Sequence, residues 1–578
     1  MRLRPAFFII AAGLVAAVLG SARVISQQGP PPAPADLVLR GGRIVTLDTK
    51  VPEAQALAAR GGAIVALGSN ADMQRYIGPS TQVIDLNGQF AMPGFIEGHG
   101  HFTNLGESKL NLELQNTKSW DEIVHMVALA VEKAKPGEWI VGRGWHQEKW
   151  STTPDPNVEG FPTHESLDKV SPNNPVILTH ASGHASFANA KALQLSGVTN
   201  ATANPAGGEV LKDKNGNPTG LLRETASRLV RVGAGAPAPT PEEVEARGMK
   251  VLELADKESI AKGVTTFEDA GSSWEVVNRV KRAIDAGRMN VRIWMMVREY
   301  DPKELIANRV IGYGNNMFTV RAIKITGDGA LGSRGAWLLE PYSDKPDSTG
   351  LATTPPDVIR QRAQIALDTG YQMCIHAIGD RANREVLNAY EETFKKNNRN
   401  GKDLRWRIEH AQHLNAADIP RFGQLGVIAA MQGIHCTSDA PWVEPRLGAK
   451  RAEEGAYVWQ KLMKTGAVVG NGTDTPVEDV DPIPSYYASV TRKTKDGKVF
   501  YGDQRMSRME ALRSYTINNA FAAFEEDVKG SLSIGKLADI TVLTKDITTV
   551  PDDEILQAKV AYTIIGGKIA YKAQSPKP

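Results

Sequence analysis

Short apolar runs alternate with longer amphipathic stretches through the middle of the chain. Eight of these runs predict β-strands, and stretches with the apolar spacing of a helix follow several of them. The predicted strands are residues 90–101, 263–269, 291–298, 318–326, 371–376, 405–410, 426–432 and 467–474. Repeated β-α units of this kind predict an α/β fold, a parallel TIM (β/α)8 barrel. In such barrels the functional side chains lie at the carboxyl ends of the strands.

Both ends of the chain have a different pattern. They consist of short alternating runs separated by Gly-Gly or Asn-Gly pairs, which is typical of hairpins. We expect residues 36–90 and 529–573 to form one small composite β-sandwich. Residues 91–528 then hold the barrel domain.

One segment of the barrel domain is too long for an ordinary loop. Residues from about 105 to 241 lie between the first two predicted strands and carry apolar runs of their own, such as EWIVGRGW and NPVILTH. The pattern predicts an inserted subdomain after strand one that covers the mouth of the barrel.

The N-terminus predicts export. Basic residues Arg2 and Arg4 precede an apolar run over residues 6–20, and small residues follow it, so residues 1–28 have the pattern of a secretory signal. The run is shorter than the roughly 18 residues that indicate a membrane span. A periplasmic or extracellular protein is expected, and the alternative is a membrane anchor formed by residues 6–20. The proline-rich residues 29–35 predict a linker.

The composition of the chain limits the classes of binding partner that we expect. Lys plus Arg number 67 and Asp plus Glu number 65, so the formal charge of +2 gives no reason to expect nucleic acid. A small-molecule substrate is expected, with membrane contact only through an uncleaved N-terminus. The sequence does not determine the oligomeric state. The two cysteines, Cys374 and Cys436, are far apart and predict core positions and not a disulfide.

Side chains that can bind a metal ion lie at the predicted strand ends. They are His99, His101, Lys324, His376, His410 and Asp474. Side chains alternate along a strand, so His99 and His101 point to the same side and both reach one ion. Neutral imidazole and carboxylate suit zinc, and the set predicts one or two divalent metal ions. Such an ion lowers the pKa of a bound water to about 7, and Asp474 is placed to shuttle the proton.

Longer segments resemble the amidohydrolase superfamily, in its amidohydrolase-3 branch. The matching segments are residues 92–102, 324–344, 375–391, 407–414, 470–479 and 529–543. The resemblance implies a TIM barrel with a composite β-sandwich and hydrolysis of non-peptide C–N bonds. It also implies that His99, His101 and Asp474 hold a more buried metal and that His376 and His410 hold a second. Lys324 would be carboxylated to bridge the two ions, the alternative being an ordinary cation in the pocket.

Further residues are candidates for substrate binding. His184 resembles a histidine of the family's inserted segment, and Asp328 and Arg334 follow Lys324 on a glycine-rich loop. Arg334 suits a substrate carboxylate or a structural ion pair. Gln432 and His435 follow the seventh strand. The chain departs from the family pattern at three places, where His146 replaces an aspartate, His180 stands near an arginine position, and Gly433 replaces a proline.

Three functions fit these residues. The leading one is hydrolysis of an amide, N-acyl or N-formyl small molecule by a metal-activated hydroxide, with Asp474 as the proton shuttle. The second is a mononuclear deaminase or cyclic-amide hydrolase, which needs no carbamate on Lys324. The third, from another class, is a non-catalytic periplasmic binding protein that kept the barrel and lost turnover.

Overall fold

A computed structural model describes residues 32–235 and 238–574 of the protein. The predicted signal or anchor, residues 1–28, lies outside the described residues, as do residues 29–31 of the predicted linker. Within the described ranges, no helix combines the length and the apolar character needed to cross a membrane.

Eight parallel strands form the centre of the molecule. We number them β1 to β8 in chain order: Phe95–Gly100, Val264–Ser272, Arg292–Val297, Phe318–Thr326, Gln372–Ala377, Arg407–His410, Ile428–Gln432 and Val469–Gly472. Each strand pairs with the next one along the chain. Two hydrogen bonds of 2.8 Å join the β1 and β8 ends, from the Asp474 amide to the His99 carbonyl and from the His101 amide to the Thr475 carbonyl. The sheet is therefore a nearly closed barrel, and the predicted TIM barrel is confirmed.

The first predicted strand needs a correction. Residues 90–101 do not form one strand, because Phe90–Pro93 pairs with the terminal sheet and only Phe95–Gly100 enters the barrel. The break falls at Gly94, where an added Cβ would lie 2.2 Å from Thr265 Oγ1. This close approach needs glycine and lets the chain change sheets within one residue.

Helices pack around the barrel and follow most of its strands. They are Pro241–Ala261, Trp274–Asp285, Pro302–Ala307, Tyr313–Asn316, Pro356–Thr369, Asp380–Lys396, Gly401–Leu404, Ile419–Leu425, Gly433–Leu447, Ala449–Gly455, Trp459–Lys464, Pro482–Thr491, Arg508–Ser514 and Ile517–Ala522. Local sequence sets their ends. Thr240 and Glu243 form a capping box at the start of Pro241–Ala261, and Pro356–Thr369 ends at Gly370, which has a left-handed φ of 71°.

Strands from both termini form one small sheet. They are Leu37–Val45, Glu53–Arg60, Ala63–Gly68, Gln82–Asp85, Phe90–Pro93, Ile540–Leu543, Val560–Ile565 and Lys568–Lys572. The two halves meet where Phe90–Pro93 runs antiparallel to Ile540–Leu543. Leu37 and Leu39 pack in one buried cluster and Val38 in another, so both faces of the sheet are covered. The two-layer form of the predicted sandwich stays a prediction.

The segment after β1 has its own sheet and core. Six strands form the sheet, namely Leu112–Glu113, Ile140–Trp145, Val176–His180, Ala185–Ala188, Gly208–Lys212 and Pro218–Glu224. The helices of the segment are Phe102–Ser108, Trp120–Val131, Glu165–Val170 and Ala190–Leu195. Bonds from Gln115 to the Val477 carbonyl (3.0 Å) and from Arg446 to Glu148 (2.6 Å) tie it to the carboxyl end of the barrel. The insert therefore lies over the barrel mouth.

Candidate metal centre

The six residues predicted to bind metal meet at the carboxyl end of the barrel. His99 ends β1 and His101 follows it, while Lys324, His376 and His410 lie on β4, β5 and β6, and Asp474 follows β8. The imidazole centroids of His99 and His410 are 4.7 Å apart, and those of His376 and His410 are 4.5 Å apart. His101 Nε2 lies 3.2 Å from Asp474 Oδ1. Residues separated by more than 370 positions in sequence thus share one small volume.

Three of these side chains present donor atoms in a compact group. His99, His410 and Asp474 are buried, and their donor atoms all lie within 4.8 Å of one another. His376 Nε2 is buried beside them without a hydrogen-bond partner in the described part of the chain. An unpartnered buried nitrogen is costly unless a ligand satisfies it. Imidazole nitrogens with one carboxylate are the donors that zinc prefers, so the residues fit a divalent ion.

Unusual backbone geometry places two of the donors. His410 has a φ of 77° and Asp474 has a φ of 57°. Both values lie in the left-handed region of backbone conformation, which residues other than glycine seldom adopt. Each residue lies at or just beyond the end of its strand, where the chain turns away from the barrel. Such strained conformations cluster at functional sites.

A buried network fixes the orientation of His99. Its Nδ1 pairs with Glu409, which leaves Nε2 facing Asp474 Oδ1 at 3.7 Å. Arg407 holds Glu409 through two hydrogen bonds, of 2.7 Å from Nε and 2.9 Å from Nη2, and also pairs with Glu268. A carboxylate behind a histidine sets its tautomer and raises its basicity as a ligand.

Gln432 orients His410. Its side-chain oxygen lies 2.8 Å from His410 Nδ1, and that nitrogen lies 3.9 Å from Asp474 Oδ2. The next residue, Gly433, opens a helix that packs closely on Pro482–Thr491. An added Cβ at Gly433 would lie 2.2 Å from Ser489 Oγ, so the departure from the family's proline has a packing cause.

The protonation states suit metal binding. Burial, followed by the charge of Lys324, lowers the pKa of His99 to about 4, and burial lowers the pKa of His376 and His410 well below the ordinary range. Burial alone would raise the pKa of Asp474, but the hydrogen bond from His101 and the nearby imidazoles of His410 and His99 hold it well below its usual value. The imidazoles are neutral and the carboxylate is charged, which are the forms that bind metal.

Lys324 lies against this group. It is 2% exposed, and its Nζ is 3.4 Å from His99 Nε2. Burial lowers the pKa of its ammonium group to about 8. The side chain therefore lies beside His99 of the donor group.

Two of the predicted substrate-binding residues have partners within the protein. Asp328 accepts hydrogen bonds from the amides of Trp337 (2.9 Å), Ile378 (2.9 Å) and Gly379 (2.8 Å), and its Oδ1 lies 3.5 Å from His376 Nε2. It therefore ties the loop after β4 to the loop after β5. Arg334 pairs with Asp344 at 3.0 Å, which is the structural ion pair considered above.

The other predicted substrate-binding residues face the site. His184 reaches it from the insert, with its ring centroid 4.9 Å from that of His376 and its Nδ1 2.8 Å from Glu224. His435 lies with its ring centroid 6.4 Å from that of His410. Its Nδ1 is 3.0 Å from Gln412 Nε2, and its Nε2 is buried without a hydrogen-bond partner among the described residues.

Two cavities adjoin the donor group. The larger has a volume of about 680 Å³ and is lined by Lys324, His376 and Asp474 together with residues of the insert. The smaller, of about 50 Å³, extends past His435 to His146 and His180. The latter two rings are 4.4 Å apart, and burial lowers the pKa of His180 to about 3 and that of His146 well below its usual range. A neutral pair thus stands where the family has acidic and basic residues.

The supporting residues Arg407, Glu409, Glu268 and Glu97 were not predicted from the sequence. Glu97 accepts hydrogen bonds from the Thr473 amide at 2.7 Å and hydroxyl at 3.0 Å, which links β1 to the β8 end. The available signal was a charged residue inside an otherwise apolar strand. Glu97 lies two residues before His99, and its side chain is fully buried.

Comparison with known proteins agrees with this geometry. A family model described as "Amidohydrolase family" matches residues 82–571. The chain is 34% identical to Protein LONG AFTER FAR-RED 3 of Arabidopsis thaliana, over 87% of this chain and 86% of that protein. It is 26% identical to an N-substituted formamide deformylase of Arthrobacter pascens, over 88% and 93% of the two chains.

A solved structure shows the same likeness. An uncharacterized metal-dependent hydrolase from Pyrococcus furiosus superposes with a TM-score of 0.67 at 27% identity, covering 89% of this chain and 100% of that one. The barrel, the donor group at its carboxyl end and the match over residues 82–571 point to one conclusion. The chain belongs to the amidohydrolase family and is a hydrolase of the metal-dependent type.

Proposed function

We propose that the protein hydrolyses a C–N bond other than a peptide bond, in a small amide, N-acyl or N-formyl compound. The observation that carries the proposal is the buried donor group of His99, His410 and Asp474, which opens onto a cavity of about 680 Å³. That volume lies within the range of small-molecule sites. The similarity to an N-substituted formamide deformylase supports an N-formyl or N-acyl substrate.

His99, His101 and Asp474 would hold one divalent ion, and His376 and His410 a second. Zinc is the ion we propose, because neutral imidazole and a single carboxylate match its preferences. When bound, such an ion lowers the pKa of a coordinated water and polarises the substrate carbonyl. The side chains have separate tasks: Glu409 and Gln432 keep the two imidazoles oriented, and Asp474 takes a proton from the attacking water and delivers it to the leaving nitrogen.

Lys324 is proposed to carry a carboxyl group on its Nζ. The support is its position, since the buried amine lies 3.4 Å from His99 Nε2 and faces the donor group. An unmodified ammonium has no lone pair for a metal. Intact-mass analysis of the metal-loaded protein at neutral pH is expected to show the added carbon dioxide, and its loss in Lys324→Ala.

A mononuclear deaminase or cyclic-amide hydrolase is the second candidate. The compactness of the His99, His410 and Asp474 group favours it, because three donors within 4.8 Å suffice for a single ion. Metal counting on Lys324→Ala separates the two. A bridged pair predicts loss of about one ion per chain and of activity, whereas unchanged metal content and turnover would support the mononuclear enzyme.

The test of the proposed function is a substrate screen on zinc-reconstituted protein. We expect release of amine from N-formyl or N-acyl compounds by the wild type and none by Asp474→Asn at the same protein concentration. Metal binding without hydrolysis over a broad panel of amides and esters would favour the binding protein instead.

We also propose that the protein is exported. The support is the N-terminal pattern of residues 1–28, with its basic start and short apolar run. N-terminal sequencing of the mature protein is expected to begin beyond the apolar run. An intact Met1 start on membrane-bound protein would support the anchor formed by residues 6–20.

A further inference from the structure

Four arginines line the larger cavity around the donor group. Arg143 and Arg228 come from the insert, where they lie on strand Ile140–Trp145 and in the 3-10 turn Thr225–Leu229. Arg298 follows β3, and Arg362 lies on helix Pro356–Thr369. The same cavity is lined by His376 and Asp474, so the guanidinium groups surround the space next to the candidate metal ligands. We call these four residues the arginine wall.

The arginine wall has no carboxylate partners among the described residues. Arg143 donates to the Ala181 carbonyl at 3.3 Å, and Arg298 donates to the Gly271 carbonyl at 3.2 Å. Arg362 stacks over the Tyr300 ring at 4.1 Å. Arg446 differs, because it pairs with both Glu148 and Asp344. The positive charge of the arginine wall is therefore not neutralised from within.

Acidic residues do not compensate the arginine wall. Among the described residues that line this cavity, the carboxylates are Glu224 and Asp474. Glu224 bonds His184 Nδ1 at 2.8 Å, and Asp474 belongs to the donor group. Both carboxylates thus have other partners, which leaves an excess of positive charge facing the solvent of the cavity.

Two members of the arginine wall, Arg143 and Arg298, have a lowered pKa, as expected for buried guanidinium groups without a carboxylate partner. Burial lowers the pKa of Arg143 to about 10. Desolvation also lowers the pKa of Arg298 and outweighs the opposing effects of Tyr300 and Asp269, while the positive charge of Arg228 adds a smaller effect in the lowering direction. A negative ligand in the cavity would reverse these shifts, since an opposite charge stabilises a cation.

We propose that the arginine wall binds a carboxylate, and that the substrate is an N-acyl or N-formyl compound with a carboxylate near the bond that is cut, as in an N-acyl amino acid. Guanidinium groups match carboxylates through paired, charge-assisted hydrogen bonds. The inference rests on the proposed function, because it assumes that the cleaved bond lies at the donor group. It adds the charge of the substrate and the residues that recognise it.

The test compares matched substrates that differ only in charge. Zinc-loaded protein is assayed with N-formyl and N-acetyl amino acids and with the same compounds as neutral α-carboxamides. We expect kcat/KM to be at least about tenfold higher for the acids, the ratio that one or two charge-assisted hydrogen bonds provide. Arg298→Gln and Arg362→Gln should reduce that ratio, mainly by raising KM for the acids.

A control variant tests for general effects of removing an arginine. Arg399→Gln removes an exposed guanidinium in the loop before β6, at the opposite end of the barrel, and should leave the ratio unchanged. Equal turnover of acids and carboxamides, with no change in Arg298→Gln and Arg362→Gln, would overturn the inference. The hydrolase function would stand in that case.

A binding measurement covers the case in which no compound is cleaved. Calorimetry with N-acetyl amino acids, their carboxamides and inorganic phosphate is expected to show preference for the acids, weakened in Arg298→Gln. Such binding without turnover would contradict the proposed function and support the arginine wall. Absence of preference for the acids, or tighter binding of phosphate, would contradict the carboxylate site.

Discussion

We call the donor group and the buried network behind it the floor of the site. The floor and the arginine wall both contain arginine, but the charge has opposite surroundings in the two regions. On the floor, Arg407 is 1% exposed and pairs with Glu409 and Glu268, so its charge is neutralised inside the protein. On the arginine wall, Arg298 and Arg362 contact carbonyl oxygen and an aromatic ring and face the cavity. Paired charges hold other residues in place, whereas unpaired charges are available to a ligand. The floor therefore fixes the reaction site, and the wall selects what reaches it.

The largest effect is expected from the floor itself. Asp474→Asn keeps the shape of the side chain, and asparagine tolerates the φ of 57° found at this position. Because we propose that the carboxylate both binds metal and moves the proton, we expect kcat/KM to fall by roughly 10³-fold or more. Arg362→Gln, a change on the wall, should keep most of its activity toward neutral substrates. Comparable losses of activity in Asp474→Asn and Arg362→Gln would contradict separate roles for the floor and the wall.

The support of His99 should produce the next largest effect. Glu409→Gln removes the charge that orients the imidazole, and we expect metal affinity to weaken by roughly 10- to 100-fold. Titration with zinc and a chromophoric chelator measures this. Glu391→Gln, on the surface helix Asp380–Lys396, is the matched control and should bind zinc like the wild type. Unchanged affinity in Glu409→Gln would show that the buried network is not needed for metal binding.

Acid should destabilise the floor and leave the wall unaffected. The pKa of His99 is about 4 in the folded protein, below the ordinary 6.5, so the unfolded chain binds the proton more tightly. Its stabilising contribution is complete above pH 6.5 and is lost as the pH falls toward 4, which amounts to about 3 kcal/mol for this residue. Urea unfolding of metal-free protein should show a lower midpoint at pH 5 than at pH 7. Arg298→Gln should reproduce that pH dependence, and a flat profile would contradict the neutral-histidine assignment.

Salt should have the smallest effect, and it should act through the wall. Raising ionic strength screens the exposed arginines, so kcat/KM for a carboxylated substrate should fall by about two- to fivefold with little change in kcat. Neutral carboxamides provide the internal control, since their kcat/KM should stay constant. An equal salt response for both substrates would show that the salt effect does not arise from the arginine wall.

The sequence predicted the barrel because its strands are apolar runs bounded by polar residues. The eight runs became eight strands, and the order of residues at their ends brought His99, His376, His410 and Asp474 together. The boundary near residue 90 was wrong because an apolar pattern does not record a change of sheet. Only the close contact of Gly94 with Thr265 in three dimensions explains the break.

The buried network that orients His99 could be predicted from the sequence only in part. Arg407 and Glu409 alternate along a strand that ends in His410, and charged residues inside a buried strand call for partners. Period-two alternation also places both on one face of the strand, although this signal did not lead to a prediction. The second carboxylate that pairs with Arg407, Glu268, could not be predicted, because it lies 139 positions away on another strand.

The arginine wall could not be predicted from the sequence. Its members lie in the insert, in a loop and on a helix, and share no motif or spacing. Only the folding of the insert over the barrel mouth brings them to one cavity. Arg334, which follows Lys324 in sequence, forms with Asp344 the structural ion pair that the sequence left open as an alternative.

We propose that the donor group at the carboxyl end of the barrel binds the metal on which hydrolysis depends. Anomalous diffraction at the zinc edge, on crystals of zinc-loaded protein, can locate that metal. We expect a peak at about 2.0–2.2 Å from a carboxylate oxygen of Asp474 and from Nε2 of His99. A fully loaded, active crystal with its zinc peaks elsewhere and none among these residues would contradict it.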